Sequence, residues 1–291
     1  PPACGCQQPD CLQCRWGKDI KVKGRVLKSL RHQWIESEKA QRFFRNGRNP
    51  CLFKRQGDLQ TWLVEGVSNG KWGLGCKEYV QAFNDALLTS EQMGEYLEAT
   101  ALQTSMSTSS SLAMQLKQVA HIIATREDRK AERDVFFVSF GSFDTHSSVA
   151  SALNGLFGSV NTALESFVTE LKAQGVFDNT VIVTHSDFGR TLTPNSGLGT
   201  DHAWAGNHVV IGGGLNGGKV FNTFPRSLVE GGEQDAGRGR LIPKYPWESV
   251  MVPIAEWMGM ESGETADVFP NLANFNRSQH IIGTSSLFQS R

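Results

Sequence analysis

The stretch Val135-Phe-Phe-Val-Ser-Phe-Gly-Ser-Phe-Asp-Thr-His146 decides the fold, because an apolar run of strand length ends abruptly in polar residues. A continuous β-prone run of this kind predicts a strand buried on both faces. An apolar helical stripe follows from Leu153 to Leu171, closed by Gly175, and Thr180–Thr184 predicts a second buried strand. The strand–helix–strand order predicts two parallel strands joined by a right-handed crossover, and therefore an α/β fold with a mostly parallel sheet.

Further signals flank this unit on both sides. Ser110 or Ser111 is placed to cap a helix that begins at Leu112. Near the C-terminus an apolar helical stripe contains Pro253, which we expect to kink the helix or to start a new one. The glycine-rich segment 231–239 predicts a loop that can close over a site.

Polar residues that suit metal binding cluster where the apolar runs end or begin. Ligands of open α/β sheets bind outside the carboxyl ends of strands, so we expect these side chains to share one site. Mixed His and Asp sites suit Zn²⁺ or another divalent ion, and a carboxylate either binds directly or fixes the tautomer of a ligating histidine. The candidate metal ligands are Asp144, His146, Asp187, Asp201, His202 and His208.

Each cluster also has a purely structural interpretation. Asp144 can cap the following helix, and Ser186 with Asp187 can form an ordinary turn before Gly189. His208 directly precedes the apolar run Val209–Ile211 and can be a core histidine. A shared site is the interpretation we adopt, because three clusters fall at the ends of predicted strands.

The charge balance of the 291 residues, 29 Lys and Arg against 29 Asp and Glu, hides two unlike parts. Residues 1–60 hold 13 basic and 5 acidic residues, and the remainder holds 16 basic and 24 acidic. All six cysteines precede residue 77. We therefore predict a basic, Cys-rich module at 1–80, a connection at 81–110 and an α/β domain at 111–291.

The Cys-rich module has the spacing of a metal knuckle, with four thiols within eleven residues. Zinc takes four thiolate or imidazole ligands and supplies folding free energy to small modules, whereas disulfides or unliganded thiols are the alternatives. The candidate zinc ligands are Cys4, Cys6, Cys11 and Cys14. Basic and aromatic residues then alternate over 15–55, which predicts binding of nucleic acid or an acidic protein, or a solvated basic surface.

The hydropathy pattern excludes a membrane-spanning helix, because no apolar run approaches the length of about 18 residues that a span requires. The sequence starts at Pro1 and shows no charged-then-apolar leader. We expect a soluble protein without a signal peptide, in a compartment that these features leave open.

Ordered motifs across residues 110–276 resemble the DUF1501 family. The matching motifs are Gln115-Leu-Lys-Gln-Val-Ala-His-Ile-Ile123, the Val135–His146 stretch, Thr184-His-Ser-Asp-Phe-Gly-Arg-Thr191, Gly199-Thr-Asp-His-Ala-Trp-Ala-Gly-Asn-His208, Gly239-Arg-Leu-Ile-Pro243 and Val268-Phe-Pro-Asn-Leu-Ala-Asn-Phe275. That family is similar to the alkaline phosphatase and sulfatase superfamily, which implies a three-layer α/β/α fold.

The resemblance also implies a two-metal site. Asp144, His146 and His202 would bind one ion, and Asp187 would belong to the second. The chain departs from the family pattern at His185, where an apolar residue is usual, and at Asp187, where glutamate is usual. It lacks the early Asp ligand and the Ser or Thr nucleophile, so the resemblance covers only the C-terminal half of the family fold.

The predicted function is metal-dependent hydrolysis of phosphate or sulfate esters. The substrate would be a small anionic ester, with Arg190 holding the anion and Ser186 a nearby hydroxyl, and the metal would be Zn²⁺, with Ca²⁺ or Mn²⁺ as alternatives. The alternative is a catalytically silent protein that binds metal and acts in assembly through its basic module. A partner would then cover the open edge of the incomplete sheet.

Overall fold

The computed structural model of the protein describes residues 74–290. Contacts within the chain divide it between Met93 and Gly94, a point inside the range 81–110 that the sequence assigns to a connection. The zinc site predicted at Cys4, Cys6, Cys11 and Cys14 and the basic segment 15–55 lie outside the described residues. Among the helices described, none combines the length and apolar character needed to cross a bilayer.

Helices dominate the described residues, and the strands are only two residues long. The helices are α1 Leu74–Ala99, α2 Ser111–Ala124, α3 Arg126–Arg129, α4 Val149–Ala173, α5 Glu248–Trp257, α6 Thr265–Val268, α7 Arg277–His280 and α8 Thr284–Leu287. The strands are β1 Ile182–Val183, β2 Gly189–Arg190, β3 His202–Ala203 and β4 Val210–Ile211. Short 3₁₀ turns occupy Phe177–Asn179, Ser262–Glu264 and Pro270–Asn274.

Helices α2 and α4 form the first hydrophobic core. The predicted cap of α2 is confirmed, since the Ser110 hydroxyl accepts a hydrogen bond from the Ala113 amide at 3.2 Å. The apolar stripe predicted for α4 is also confirmed, with Phe167 and Leu171 buried and a left-handed Gly175 just after the helix. These side chains pack against Leu116 and Ala120 of α2.

A buried glutamate ties the segment before α2 to α4. Glu170 is fully buried. Its carboxylate accepts hydrogen bonds from the backbone amides of Gln103 and Thr104, from the Thr104 hydroxyl and from the side-chain amide of Gln174. Desolvation raises the pKa of Glu170, but these hydrogen bonds outweigh it and bring the pKa below its ordinary value. The carboxylate is therefore ionised and fully paired.

Successive residues at strand β1 pack into two different hydrophobic cores. Ile182 packs against the core of α2 and α4, whereas Val181 and Val183 pack against a second core that contains Ile254 of α5 and Leu287 of α8. This alternation follows from the two-residue period of an extended chain. Strand β1 pairs with β4 in antiparallel register, Ile182 opposite Ile211.

The prediction of a doubly buried strand at 135–140 is wrong for the described residues. Val138 and Phe140 contact the first core, but Val135 and Phe137 are 83% and 90% exposed. No strand pairs with this segment in residues 74–290, and the parallel partnership with Thr180–Thr184 is absent there. Val135 and Phe137 stay exposed because no residue in the described part of the chain packs over their side of the segment.

The Gln115 side chain makes hydrogen bonds to this segment that a neighbouring strand would otherwise make. The Gln115 amide nitrogen donates to the Ser139 carbonyl at 2.8 Å, and the Ser139 amide donates to the Gln115 carbonyl oxygen at 3.1 Å. These are the two bonds that a residue on a neighbouring strand would make. Within residues 74–290 the backbone of the segment is therefore held by the Gln115 side chain.

The prediction that Pro253 starts a new helix is wrong, because α5 continues through it, and the alternative of a kink stays a prediction. A proline at this position cannot donate to the Ser249 carbonyl four residues earlier. That carbonyl instead accepts a hydrogen bond from the Ile282 amide at 3.0 Å. The fully buried Pro253 is thus tolerated because another segment of the chain satisfies the carbonyl that it leaves free.

Candidate metal centre

Three of the predicted ligands meet at one point on the surface. The Asp144 Oδ1 atom lies 2.9 Å from His146 Nε2 and 2.9 Å from His202 Nε2. The two imidazole nitrogens are 3.2 Å apart. Each of the three side chains is about half exposed. Among the His, Cys, Asp and Glu side chains of residues 74–290, these three form a group whose ligand atoms lie close enough to share one ion.

The size of this triangle suits a divalent ion. Tetrahedral ligands at Zn²⁺ distances of about 2.0 Å are separated by about 3.3 Å. Neighbouring ligands of an octahedral ion at about 2.1 Å are separated by about 3.0 Å. The observed separations of 2.9–3.2 Å fall in this range, and one carboxylate with two imidazoles is a donor set that zinc accepts. The residues therefore fit a metal ion, without selecting which one.

The β2–β3 pair places an arginine directly behind this triangle. Arg190 lies opposite His202 in the antiparallel register. Its guanidinium donates from Nη1 to Asp144 Oδ1, from Nη2 to the Thr200 carbonyl, and from Nε to the Thr200 hydroxyl at 2.9 Å. Phe188, which precedes β2, stacks on the His202 ring with centroids 4.2 Å apart. Two ligands are thus oriented by neighbours on one short strand pair.

The backbone of His146 is held by a tight loop. A Cβ atom on Gly199 would lie 2.1–2.3 Å from main-chain atoms of His146 and Ser147, so only glycine fits there. The Asn195 side chain accepts from the amides of Gly197 and Gly199 and donates to the His146 carbonyl at 3.0 Å. These contacts fix the position of one ligand relative to the loop that leads to the other.

Asp201 lies beside the triangle, on the far side of the His146 ring. Its Oδ1 atom is 3.6 Å from His146 Nδ1, which is within ion-pair range but longer than a hydrogen bond. The same oxygen accepts from Asn195 Nδ2 at 3.2 Å, and Oδ2 accepts from Arg238 Nη2 at 2.9 Å. The carboxylate therefore lies on the Nδ1 side of a histidine whose Nε2 belongs to the triangle, which is the side where the outer partner of a ligating histidine lies.

Both carboxylates are kept ionised by their neighbours. Desolvation raises the pKa of Asp144. Hydrogen bonds from His202 and Arg190, together with the charges of the two histidines, lower it by more than desolvation raises it, so the net shift is downward. The pKa of Asp201 is also lowered, chiefly by the hydrogen bond from Asn195 and then by Arg238. An ionised Asp144 is the form that binds a cation.

The structure does not bring the other predicted residues to the triangle. Asp187 and Ser186 are exposed, and the Ser186 hydroxyl donates to the Phe188 carbonyl at 3.1 Å. The His208 ring stacks on His185 with centroids 6.3 Å apart, because the antiparallel β1–β4 pair places the end of one strand beside the start of the other. Desolvation, and secondarily His185, lower the pKa of His208. A role for Asp187 in a second metal site and a role for His208 as a metal ligand stay predictions.

Several residues that shape the centre were missed by sequence reasoning. They are Asn195, Thr200, Phe188 and Arg238. The run Asn195-Ser-Gly-Leu-Gly199 carries a usable signal, since Asn before closely spaced glycines is typical of a side-chain-stabilised turn. Arg238 had no such signal, because its partner Asp201 lies 37 positions away.

These features define a protein of helices and short strands with an exposed Asp-His-His centre suited to a divalent metal ion. The chain belongs to the DUF1501 family, which is described as a protein of unknown function and matches residues 77–230, more than half of the chain. The match contains Asp144, His146 and His202. No curated protein and no solved structure matches the chain.

Proposed function

We propose that this protein is a metal-dependent hydrolase of phosphate or sulfate esters, with Asp144, His146 and His202 as ligands of one ion. The observation that carries the proposal is the triangle of one carboxylate oxygen and two Nε2 atoms, with separations of 2.9, 2.9 and 3.2 Å. A divalent ion supplies Lewis-acid stabilisation of charge on the oxygens of a phosphate or sulfate ester. We propose Zn²⁺ as the ion, with Ca²⁺ and Mn²⁺ as alternatives.

We further propose the three-layer α/β/α fold of the alkaline phosphatase and sulfatase superfamily. The support is the position of β1, whose side chains face the α2–α4 core on one side and the α5–α8 core on the other. Helical layers on both sides of an extended strand are what such a fold requires. The strand pairs β1–β4 and β2–β3 are antiparallel, so a mostly parallel sheet requires further pairing outside residues 74–290. The second-metal residue Asp187 belongs to the same proposal.

Arg190 is proposed to hold the anionic part of the substrate. Arg190 donates from Nε and Nη2 to Thr200 and from Nη1 to Asp144. Because a guanidinium has five N–H groups, two remain for a substrate. Arginine presents such groups in a fork that suits phosphate and sulfate oxygens. The half-exposed ligands leave the centre open to a small ester from solvent.

Water is the proposed nucleophile. In the described part of the chain no hydroxyl group hydrogen-bonds to the side chains of Asp144, His146 or His202, and Ser186 is engaged with the Phe188 carbonyl. Water would form the new bond to phosphorus or sulfur while the ester P–O or S–O bond breaks, and a proton lost by the water would balance the one gained by the leaving alcohol. Ser186 stays a candidate for a covalent route only if substrate binding brings it to the centre.

The test is hydrolysis of an aryl phosphate and an aryl sulfate by the full chain with Zn²⁺, Mn²⁺ or Ca²⁺. Asp144→Ala should remove turnover, because it deletes the only carboxylate oxygen of the triangle. Asp128→Ala is the matched control, since Asp128 is an exposed carboxylate on α3. Turnover that survives Asp144→Ala unchanged would contradict the proposal.

A second candidate function, assembly without catalysis, is favoured by one observation. The segment 135–140 exposes Val135 and Phe137, and within residues 74–290 the hydrogen bonds to its backbone come from the Gln115 side chain. Unpaired extended segments with apolar side chains are the places where another chain adds a strand. In this account an extended segment of a protein partner covers the edge, and the basic residues 15–55 bind nucleic acid or an acidic protein.

The two candidate functions, ester hydrolysis and assembly, are distinguished by whether the Asp144→Ala variant binds a nucleic acid or an acidic peptide. Anisotropy of a labelled single-stranded oligonucleotide and of a labelled acidic peptide, titrated with the Asp144→Ala variant, tests the second one. Binding that weakens steeply between about 50 and 200 mM salt would support it. Absence of binding to both probes at low salt would contradict the role proposed for residues 15–55.

A further inference from the structure

The segment 231–242 forms a compact hairpin that carries an arginine to its tip. The Asp235 carboxylate accepts bonds from the amides of Gly231 and Gly237 at 2.8 and 3.0 Å. Main-chain bonds join Ala236 to Arg240 and Ile242 to Gln234. The hairpin is therefore organised by its own hydrogen bonds.

Two anchors fix this hairpin beside the metal centre. The Leu192 amide donates to the Gly239 carbonyl at 3.0 Å, and the Ala205 amide donates to the Leu241 carbonyl at 3.1 Å. Leu192 follows β2 and Ala205 follows β3, the strands that carry Arg190 and His202. A Cβ on Gly239 would lie 2.7 Å from the Thr193 amide nitrogen, so the hairpin approaches the strand pair more closely than other residues allow.

Arg238 occupies an unfavourable backbone conformation at the tip. Its φ is +59°, and the flanking Gly237 and Gly239 have φ of +91° and +69°. A left-handed conformation costs a residue with a Cβ about 1 kcal/mol. The Arg238 side chain is 54% exposed, yet its Nη2 lies 2.9 Å from Asp201 Oδ2. The strained conformation thus places the Arg238 side chain in an ion pair with Asp201.

We infer that Arg238 is a positioning residue that sets the metal affinity of the centre through Asp201. The inference rests on the proposed metal site. Arg238 holds one oxygen of Asp201, and the other oxygen faces Nδ1 of His146, whose Nε2 belongs to the ligand triangle. A carboxylate fixed on this side of the ring attracts a hydrogen on Nδ1 and so favours the Nδ1–H tautomer, which leaves Nε2 free to ligate.

The hairpin thereby controls the centre from outside the residues matched by the family, which end at 230. A cation near a metal ion also repels it, but Arg238 is more than half exposed and its repulsion is screened by solvent. Orientation of His146 therefore outweighs repulsion, and loss of Arg238 weakens metal binding.

The test is isothermal titration of the full chain with Zn²⁺ and Co²⁺, together with the visible spectrum of bound Co²⁺. Arg238→Gln should weaken binding at the triangle by about 10-fold and change the Co²⁺ bands, as is typical when the outer partner of a ligand is lost. Arg238→Lys should restore affinity to within about threefold, since a single contact to Asp201 suffices. Arg240→Gln is the control on the same hairpin, because that side chain bonds only the Gly237 carbonyl.

Asp201→Asn completes a double-mutant cycle. If Arg238 acts through Asp201, the double variant binds metal no more weakly than Asp201→Asn alone, and additive losses would overturn the inference. Unchanged or tighter binding by Arg238→Gln would also overturn it. A wild type that binds metal at the triangle but hydrolyses no ester would instead contradict the proposed function, while the affinity differences between variants still decide the role of Arg238.

Discussion

His146 Nε2 and His202 Nε2 lie 3.2 Å apart, although 56 positions separate the two residues in the sequence. The contact depends on close backbone packing between the segments that carry them. The Thr200 amide donates to the Thr145 carbonyl at 3.1 Å, and Gly199 lies against the main chain of His146. The centre is therefore a product of loop packing rather than of one helix or strand.

Gly199→Ala should damage the centre directly. The new Cβ would overlap main-chain atoms of His146 and Ser147, which cannot move as a flexible side chain can. We expect a loss of about 1–3 kcal/mol in the free energy of unfolding, together with weaker metal binding. Thermal denaturation and calorimetric titration measure the two effects. Gly206→Ala is the control, since a Cβ there meets nothing within 4 Å, and equal effects of both variants would contradict this account.

Glu170→Gln should destabilise the fold without touching the centre. The amide cannot accept all the bonds that Gln103, Thr104 and Gln174 donate to the carboxylate, so we expect a loss of about 2–4 kcal/mol. Chemical denaturation at neutral pH measures it. Glu165→Gln, an exposed change on the same helix, should alter stability by less than about 0.5 kcal/mol. Equal stability of the two variants would refute the role of Glu170.

The same carboxylate predicts the direction of a pH effect on stability. The pKa of Glu170 in the folded protein lies below its ordinary value of 4.5. Its contribution is therefore fully present above pH 4.5 and is lost as the pH falls through the folded pKa. Wild type should lose more stability than Glu170→Gln when the pH is lowered from about 5 to about 3. Parallel losses in the two proteins would argue against an ionised, paired Glu170.

Arg190→Gln should weaken anion binding to the metal-loaded protein. Inorganic phosphate and sulfate are suitable probes, and we expect an affinity loss of about 10–100-fold, equivalent to one or two charge-assisted hydrogen bonds. Competition with aryl-ester hydrolysis or direct titration measures it. Lys117→Gln removes an exposed charge on α2 as a control. If both variants bind phosphate equally well, Arg190 does not hold the anion.

Gln115→Ala should loosen the segment 135–140. It removes both bonds to Ser139, the hydrogen bonds that hold the segment's backbone in the described residues. Amide hydrogen exchange at Ser139 should accelerate by about 10-fold or more, because its donor becomes free. Gln118→Ala, on the exposed side of α2, is the control. Unchanged exchange would show that other contacts hold the segment.

The sequence predicted the parts of this molecule that depend on local pattern. The cap at Ser110 and the apolar face of α4 follow from rules that act over a few residues, and both are confirmed. Asp144, His146 and His202 were identified because polar residues interrupt apolar runs at those points. Their convergence was an expectation from sheet topology, although the structure achieves it through the β2–β3 pair and the packing of Gly199.

The errors have a common physical origin, which is dependence on distant partners. The apolar run at 135–140 has the composition of a doubly buried strand, but burial requires a neighbour on each side. Pro253 was expected to kink its helix or to start a new one, but α5 continues through it and the Ile282 amide satisfies the Ser249 carbonyl. The Arg238–Asp201 pair also joins residues whose spacing carries no local signal. Such contacts are set by tertiary packing.

The central claim is that Asp144, His146 and His202 bind one divalent ion. Its most direct test is titration of the full chain with Mn²⁺, an ion that prefers carboxylate and imidazole to the thiolates of the N-terminal cysteines. Wild type should bind an ion that the His146→Ala and His202→Ala variants each lose, with at least a 100-fold fall in affinity, while Asp128→Ala binds as wild type. Equal Mn²⁺ binding by wild type and both histidine variants, or no binding by any of them, would contradict the claim.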